Sequence, residues 1–249
     1  MQISTITLFP EIFEALRYGI VGRAIENKLL TLQHWNPRDF ALDKHRKVDD
    51  RPYGGGAGMV MKFQPLQDAI HAAKKATPSA LLVYLTPQGQ TLTQQKVVRL
   101  AEEPALILLN GRYEGIDERL IETEVDAEYS IGDYVLSGGE FACLVMIDAI
   151  TRCLPGALGH EDSASQDSFS DAGRQRLDYP HYTRPALTAG KEIPEVLKSG
   201  DHKAIARWRL KQSLGRTWQR RPDLLAKQQL TPEEQLLLDE FINEQSINI

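Results

Sequence analysis

The chain has only two cysteines in 249 residues, which excludes a disulfide-stapled scaffold. Cys143 and Cys153 fall ten apart in a predicted helix, roughly 15 Å at 1.5 Å per residue, beyond the reach of a disulfide. They read as small buried residues of a reducing compartment. No apolar run is long enough to cross a bilayer. Met1 to Thr5 lacks a basic region ahead of an apolar stretch, so no secretory signal is expected and the expected location is cytoplasmic. There is no G-x-G-x-x-G opening a helix and no G-x-x-x-x-G-K-[ST], which excludes the commonest nucleotide-binding loops. The six histidines form no H-E-x-x-H or Cys/His ligand set, and there are no internal repeats. The net charge of −5 argues, as a bulk property, against nucleic acid.

What is present is ordinary in amount and informative in order. Apolar residues make up 42% and charged residues 25%, as in a soluble globular protein of one large or two modest domains. Over residues 1–155 strand-like and helix-like segments alternate. Strands are expected at Ile3–Phe9, Leu30–Trp35, Ala80–Leu85, Ala105–Leu109 and Ala127–Ile131. Helices are expected from Pro10 to near Gly19, from Pro65 to Ala76, at Leu92–Ala101 and Asp117–Thr123, and at Gly139–Leu154. This alternation predicts an α/β domain with a largely parallel sheet covered on both faces by helices. Residues 156–178 are rich in Gly, Ser and charge without periodicity and read as an interdomain linker. Residues 179–249 read as a small helical domain, with Asp201 capping one helix and Thr231-Pro232-Glu233-Glu234 opening another.

Two glycine-rich turns leave the last two strands. One is Gly111-Arg112-Tyr113-Glu114-Gly115, and the other runs from Ile131 and Gly132 to Gly138 and Gly139. Strand-end loops of α/β sheets are where ligands bind, and glycine lets backbone approach a ligand closely. A third glycine cluster, Gly54, Gly55, Gly56 and Gly58, follows Asp50 and Arg51, which offer an acceptor and a cation. From Lys203 to Arg221 there are seven Lys or Arg and no acidic residue, a local basic stretch suited to phosphate contacts. Within it Lys203, Arg207 and Lys211 share a helix face, and Arg209 lies between them. Trp208 reads as core, since it lies among Ile205, Leu210 and Leu214.

GRYEGIDERL, SIGDYVLSGGE, VDDRPYGGGAGM, YLTPQG, PHYTRP and WRLKQSL together resemble the bacterial tRNA (guanine-N1)-methyltransferases, of the SPOUT class of knotted methyltransferases. The resemblance covers nearly the whole chain. It implies a trefoil-knotted cofactor site, which spacing alone does not give, and S-adenosylmethionine as methyl donor. The donor's contacts are implied at Tyr84, Leu85, Thr86 and Pro87, at Gly111, Tyr113 and Glu114, and at Ile131, Gly132, Tyr134, Val135, Leu136, Gly138 and Gly139. It implies Asp167, in Asp167-Ser168-Phe169, as the base for the N1 proton, and Arg152 as the cation stabilising charge at O6. RNA contacts are implied at Asp50, Arg51, Gly55, Gly56 and His181, beside the basic helix. Magnesium near Glu114 is compatible with the family, and a homodimer with its active site between subunits is implied. The target implied is the guanosine 3′ of the anticodon. Gln166 replaces a commonly acidic residue, and Ser170 to Leu177 is about three residues longer than the family pattern. Two alternatives stay open from the sequence: a ribose 2′-O methyltransferase on the same fold, and a non-catalytic RNA-binding protein.

Overall fold

A computed structural model describes residues 1–159, 167–170 and 175–247. The linker expected over 156–178 therefore lies partly outside the described residues, and Gln166 lies outside them entirely. The chain divides into two compact units, Met1–Glu161 and Asp162–Ile249.

The first unit is built on five parallel strands: β1 (Gln2–Ile6), β2 (Thr31–Trp35), β5 (Leu81–Thr91), β6 (Ala105–Asn110) and β7 (Ala127–Ser130). Their order is β2-β1-β6-β5-β7. β6 is central, and all six of its residues are buried. Side chains alternate across a strand, so an unbroken apolar run supplies two cores at once. On one face Leu106 and Leu108 of β6, with Ile3, Val83 and Leu85, meet helices α1 (Gly19–Glu26), α3 (Gln94–Glu102) and α5 (Glu140–Cys153). On the other, Ile107 and Leu109 join Ile6, Leu82 and Tyr84 under α2 (Phe63–Ala76) and α4 (Glu118–Glu124). Each fully buried Leu or Ile contributes about 1.5–3 kcal/mol relative to exposure. A small antiparallel pair, β3 (Asp49–Asp50) and β4 (Val60–Met61), stands apart from the sheet.

Three elements differ from expectation, the first being β1, which ends at Ile6 and not at Phe9. The helix expected from Pro10 to Gly19 is a 3₁₀ stretch, Pro10–Arg17, followed by a separate helix, α1. Gly19 takes φ +69°, which turns the chain between them and makes Gly19 a start where it resembled a stop. β5 does not end at Leu85 but resumes pairing and continues to Thr91. Cys143 is wholly buried and Cys153 half-buried, neither in a disulfide; burial pushes the Cys143 thiol well up, leaving it inert.

In the second unit the helix His202–Arg220 packs on the helix Pro232–Ile247 through Leu214, Leu237 and Leu238. Asp201 caps the first by accepting from the Lys203 and Ala204 amides at 2.9 and 3.1 Å. The second opens with a reciprocal capping box. The Thr231 amide donates to Glu234 at 2.8 Å, and the Glu234 amide donates to the Thr231 hydroxyl at 3.2 Å. Glu234 also receives Arg176, itself buried, at 2.9 Å.

Burial pushes the Glu234 carboxyl up, but the Thr231 amide and Arg176 outweigh it, and its pKa lies below the ordinary value. A depressed carboxylate pKa contributes stability that is present above the unfolded-state value and is lost as pH falls through the folded one. The helical unit is therefore expected to loosen on acidification below about pH 4. Glu234→Gln should remove most of that pH dependence, as followed by far-UV circular dichroism across an acid titration.

Candidate cofactor pocket and its surroundings

The pocket lies beyond the C-terminal ends of β6 and β7 and beside the middle of β5, where three loops meet. The first is a bulge inside β5. Leu85 and Gln90 both pair with Tyr129 of β7, so the intervening residues are thrown out of the strand. Gly89 permits this: a Cβ there would stand 2.5 Å from the Tyr129 amide nitrogen. The second loop follows β6, and the third follows β7. Tyr84, Leu85, Thr86 and Pro87 line a cavity of about 490 Å³. Gly111, Tyr113, Glu114, Ile131, Gly132, Tyr134, Val135, Leu136, Gly138 and Gly139 line the same cavity.

The second and third loops are fastened to each other. The Gly139 amide donates to the Gly111 carbonyl at 2.9 Å. Arg112, 15% exposed at its side chain, donates from Nε to Oε2 of the fully buried Glu140 at 2.8 Å, and from Nη1 to the Ser137 carbonyl at 3.1 Å. The other Glu140 oxygen accepts from the Thr7 hydroxyl at 3.0 Å, beyond the end of β1. The Arg112 guanidinium lies 4.5 Å from the Phe9 ring centroid. Gly138 is required here because any Cβ would collide with the Arg112 side chain.

The glycine hairpin between β3 and β4 is joined to the same second loop. The Glu114 amide donates to the Met59 carbonyl at 3.0 Å. The Met61 amide donates to the Gly115 carbonyl at 2.9 Å, and the Asp117 amide donates to the Met61 carbonyl at 3.1 Å. Gly58 leaves room for the Glu114 carboxylate. Gly54, Gly55, Gly56 and Gly58 all take positive φ. Asp50 accepts from the Arg51 amide at 2.8 Å, and Tyr53 at the hairpin is fully exposed.

Three carboxylates, Glu114, Glu118 and Glu128, line the cavity, so its field favours a cation. Burial, with Glu128 and Glu118 adding to it against a Thr86 hydrogen bond, raises the Tyr84 hydroxyl pKa and keeps it protonated at neutral pH. Among the described residues no group of three or more His, Cys, Asp or Glu is arranged to hold a metal. No helix among them is long and apolar enough to cross a membrane.

Arg152 stands half-buried in the last turn of α5, in the first unit. Asp167 is exposed in the second unit, at a turn whose carbonyl accepts from the Ser170 amide at 3.2 Å. His181 pairs with Asp178 at 2.8 Å and stacks on Tyr179 at 4.7 Å. Arg209 covers the other partner of that stack, its guanidinium 4.8 Å from the Tyr179 ring.

A family model described as tRNA (Guanine-1)-methyltransferase TrmD matches residues 1–227. The chain is 62% identical over 245 residues to a tRNA (guanine-N(1)-)-methyltransferase of Coxiella burnetii, covering 98% of both chains. Proteins of the same description from Sodalis glossinidius and Aeromonas hydrophila are 60% and 59% identical over 246 residues. Those matches cover 98% of this chain and 97% and 98% of the relatives.

The chain belongs to the tRNA (guanine-N1)-methyltransferase family.

Two features of this methyltransferase were not visible in its sequence. Arg112 and Glu118, inside the GRYEGIDERL motif but assigned no contact from it, line the cavity, and so does Glu128, which lies outside the family motifs. The basic helix is also less free than its composition implies. Arg207 forms a two-pronged pair with Glu240 at 2.6 and 3.1 Å, and Lys211 pairs with Glu244 at 2.7 Å. Lys203, Arg216 and Arg220 have no ion-pair partner among the described residues. Trp208, expected in the core, is half-buried outside the Leu214 cluster, its ring 6.4 Å from Tyr182.

Gly111 tests the pocket directly. A Cβ there would meet the Tyr84 hydroxyl at 2.8 Å and its ring carbon at 3.0 Å. Gly111→Ala is expected to push the Tyr84 ring into the cavity and weaken donor binding at least about tenfold, about 1.4 kcal/mol. Isothermal titration with S-adenosylmethionine measures this, and unchanged affinity would show that the cavity lining does not set donor binding.

Proposed function

We infer that this protein transfers the methyl group of S-adenosylmethionine to N1 of a guanosine in tRNA, and that the target is the guanosine immediately 3′ of the anticodon. The observation that carries the donor assignment is the convergence of three strand-end loops on one carboxylate-lined cavity in a member of this family. A sulfonium beside an ammonium is cationic, and Glu114, Glu118 and Glu128 favour that charge. The glycine turns bring backbone amides and carbonyls to an adenine edge at a distance that side chains would forbid.

Guanine N1 carries a proton and attacks poorly until the proton leaves. In the proposed step Asp167 takes the N1 proton as N1 forms its bond to the methyl carbon and the carbon–sulfur bond breaks. The products are N1-methylguanosine and the neutral thioether. Loss of the proton drives charge to O6, where the Arg152 guanidinium stabilises it. A carboxylate is a weak base for this proton, so the charge at O6 must be met in the same step. A magnesium ion held by Glu114, with its remaining ligands from water and substrate, would supply further positive charge there.

The wider arrangement is proposed on the same footing. The loop from Ile131 to Gly139 passes through a trefoil knot. In support, β7 lies at the sheet edge beside β5, yet α5 packs with α1 and α3 on the face opposite α4. The protein acts as a homodimer in the cytoplasm, with one subunit's donor pocket facing its partner's linker and helical domain. Exposed Phe141 and Val145, one turn apart on α5, and Val135, 90% exposed, favour such an apolar contact. Asp50, Arg51, Gly55 and Gly56 read the guanine. His181, Lys203, Arg207, Arg209 and Lys211 of the helical domain, residues 179–249, meet the tRNA backbone.

Incubation with methyl-labelled donor and tRNA, followed by nucleoside analysis, should yield N1-methylguanosine. Alkali-resistant dinucleotides would identify ribose 2′-O transfer, and no label would leave a non-catalytic RNA binder. Asp167→Ala should abolish transfer while keeping donor affinity, and near-normal turnover would remove Asp167 as the base. For the tRNA surface Lys203 is the cleaner probe, because reversing Arg207 or Lys211 also breaks a pair with the neighbouring helix. Lys203→Ala should flatten the logarithmic salt dependence of tRNA binding by roughly 0.7–0.9. An unchanged slope by fluorescence anisotropy places Lys203 away from the phosphates.

A further inference from the structure

A carboxylate with no solvent exposure that binds two cofactor loops without lining their pocket calls for a function beyond filling the core. Glu140 is the first residue of α5 and is 0% exposed. It lies outside the cavity lining, as do its partner Thr7 and the Phe9 ring under Arg112. Yet Arg112 does line the cavity, and so do Gly111 and Tyr113 before and after it. On the other side Leu136, Gly138 and Gly139 line the cavity within four residues of Glu140.

We propose that Glu140 is a positioning residue for the methyl donor: through Arg112 it sets the spacing between the loop after β6 and the loop after β7. The inference rests on the donor-pocket assignment above. Each link in the chain is specific. Glu140 offers one oxygen to Thr7 and the other to Arg112, so the carboxylate has a fixed orientation. Arg112 spends its Nε on that carboxylate and its Nη1 on the Ser137 carbonyl, which ties the guanidinium to the far loop at two points. The Phe9 ring closes the open face of the guanidinium. The absence of a side chain at Gly138 lets Arg112 cross between the loops, and the Gly139–Gly111 hydrogen bond holds the backbones at the same spacing. A buried ion pair is a poor source of net stability compared with apolar packing, and its attested use is to fix one geometry among several. Here the geometry fixed is the width of the donor pocket.

A merely structural Glu140 would lower the melting temperature and leave the donor affinity of the folded protein alone. A positioning Glu140 alters donor affinity and spares tRNA. The variants are Glu140→Gln, which keeps the shape and removes the charge, and Arg112→Lys, which keeps the charge and removes the planar fork. Ile70→Val, on α2 in the buried core and outside the cavity lining, trims one methylene and serves as the control for lost stability. Donor dissociation constants by titration calorimetry, and KM for tRNA at saturating donor, are measured on the full-length protein. Glu140→Gln and Arg112→Lys are expected to weaken S-adenosylmethionine binding at least tenfold, with KM for tRNA within twofold of wild type. Ile70→Val is expected to bind donor as wild type despite a lower melting temperature. Donor affinity unchanged in Arg112→Lys overturns the proposal, whether or not Glu140→Gln folds. So does a loss in Ile70→Val as large as in Glu140→Gln. If wild-type protein itself shows no affinity for S-adenosylmethionine, the donor assignment fails, and the proposal falls with it for that separate reason.

Discussion

The ion pair between Arg112 and Glu140 is the contact on which the pocket's geometry turns. It joins segments 28 residues apart, with Thr7 adding a third from the far end of the domain. Strands β1 and β6 are neighbours in register, so their ends emerge side by side, and α5 begins next to them. Burying a charge there is costly unless it is paired and hydrogen-bonded, and both Glu140 oxygens are used. The surrounding glycines follow from this. Gly138 leaves passage for the arginine, and Gly139 allows the backbone to close on Asn110, whose Cα would lie 2.9 Å from a Cβ there.

Around that contact the fold divides its work. The sheet supplies rigidity through a fully buried central strand, and the bulge in β5 converts one strand into both a wall and a loop. The loops share one cavity because they leave the sheet near its carboxyl end, where neighbouring strand ends open a crevice. The helical unit is stabilised differently, by a small leucine cluster and by charge pairs such as Arg176–Glu234. The exposed pairs of the basic helix contribute little to stability individually. They do fix which cations turn outward.

The α/β alternation was legible because its signal is periodic and local: Ala105 to Leu109 reads as a buried strand from its own residues. Two of the three loops that line the cavity were legible as glycine turns after such strands, and the third, from Tyr84 to Pro87, only through the family motif. Gly19 was misread because a glycine after a helix-like run resembles a C-terminal stop, and only its tertiary setting made it a start. β5 was cut short at Pro87 and Gly89, residues that normally end strands, because resumed pairing with Tyr129 depends on a neighbour nearly forty residues away. Arg112 with Glu140 and Arg207 with Glu240 were invisible for a related reason: a charged residue looks solvated until its distant partner is known. Trp208 shows the converse, an apolar residue whose spacing suits a core but which meets Tyr182 instead.

The glycine hairpin and the loop after β6 share three backbone hydrogen bonds, at Met59–Glu114, Met61–Gly115 and Met61–Asp117. Two surfaces to which separate chemical tasks are proposed are thus one mechanical body. On the proposed reading, a donor that stiffens residues 111–117 would stiffen the hairpin as well, before any guanine arrives. Linkage makes the effect mutual: whatever factor the donor adds to the acceptor's affinity, the acceptor returns to the donor. The order in which the two substrates bind is then a matter of which one more often finds the shared body already ordered.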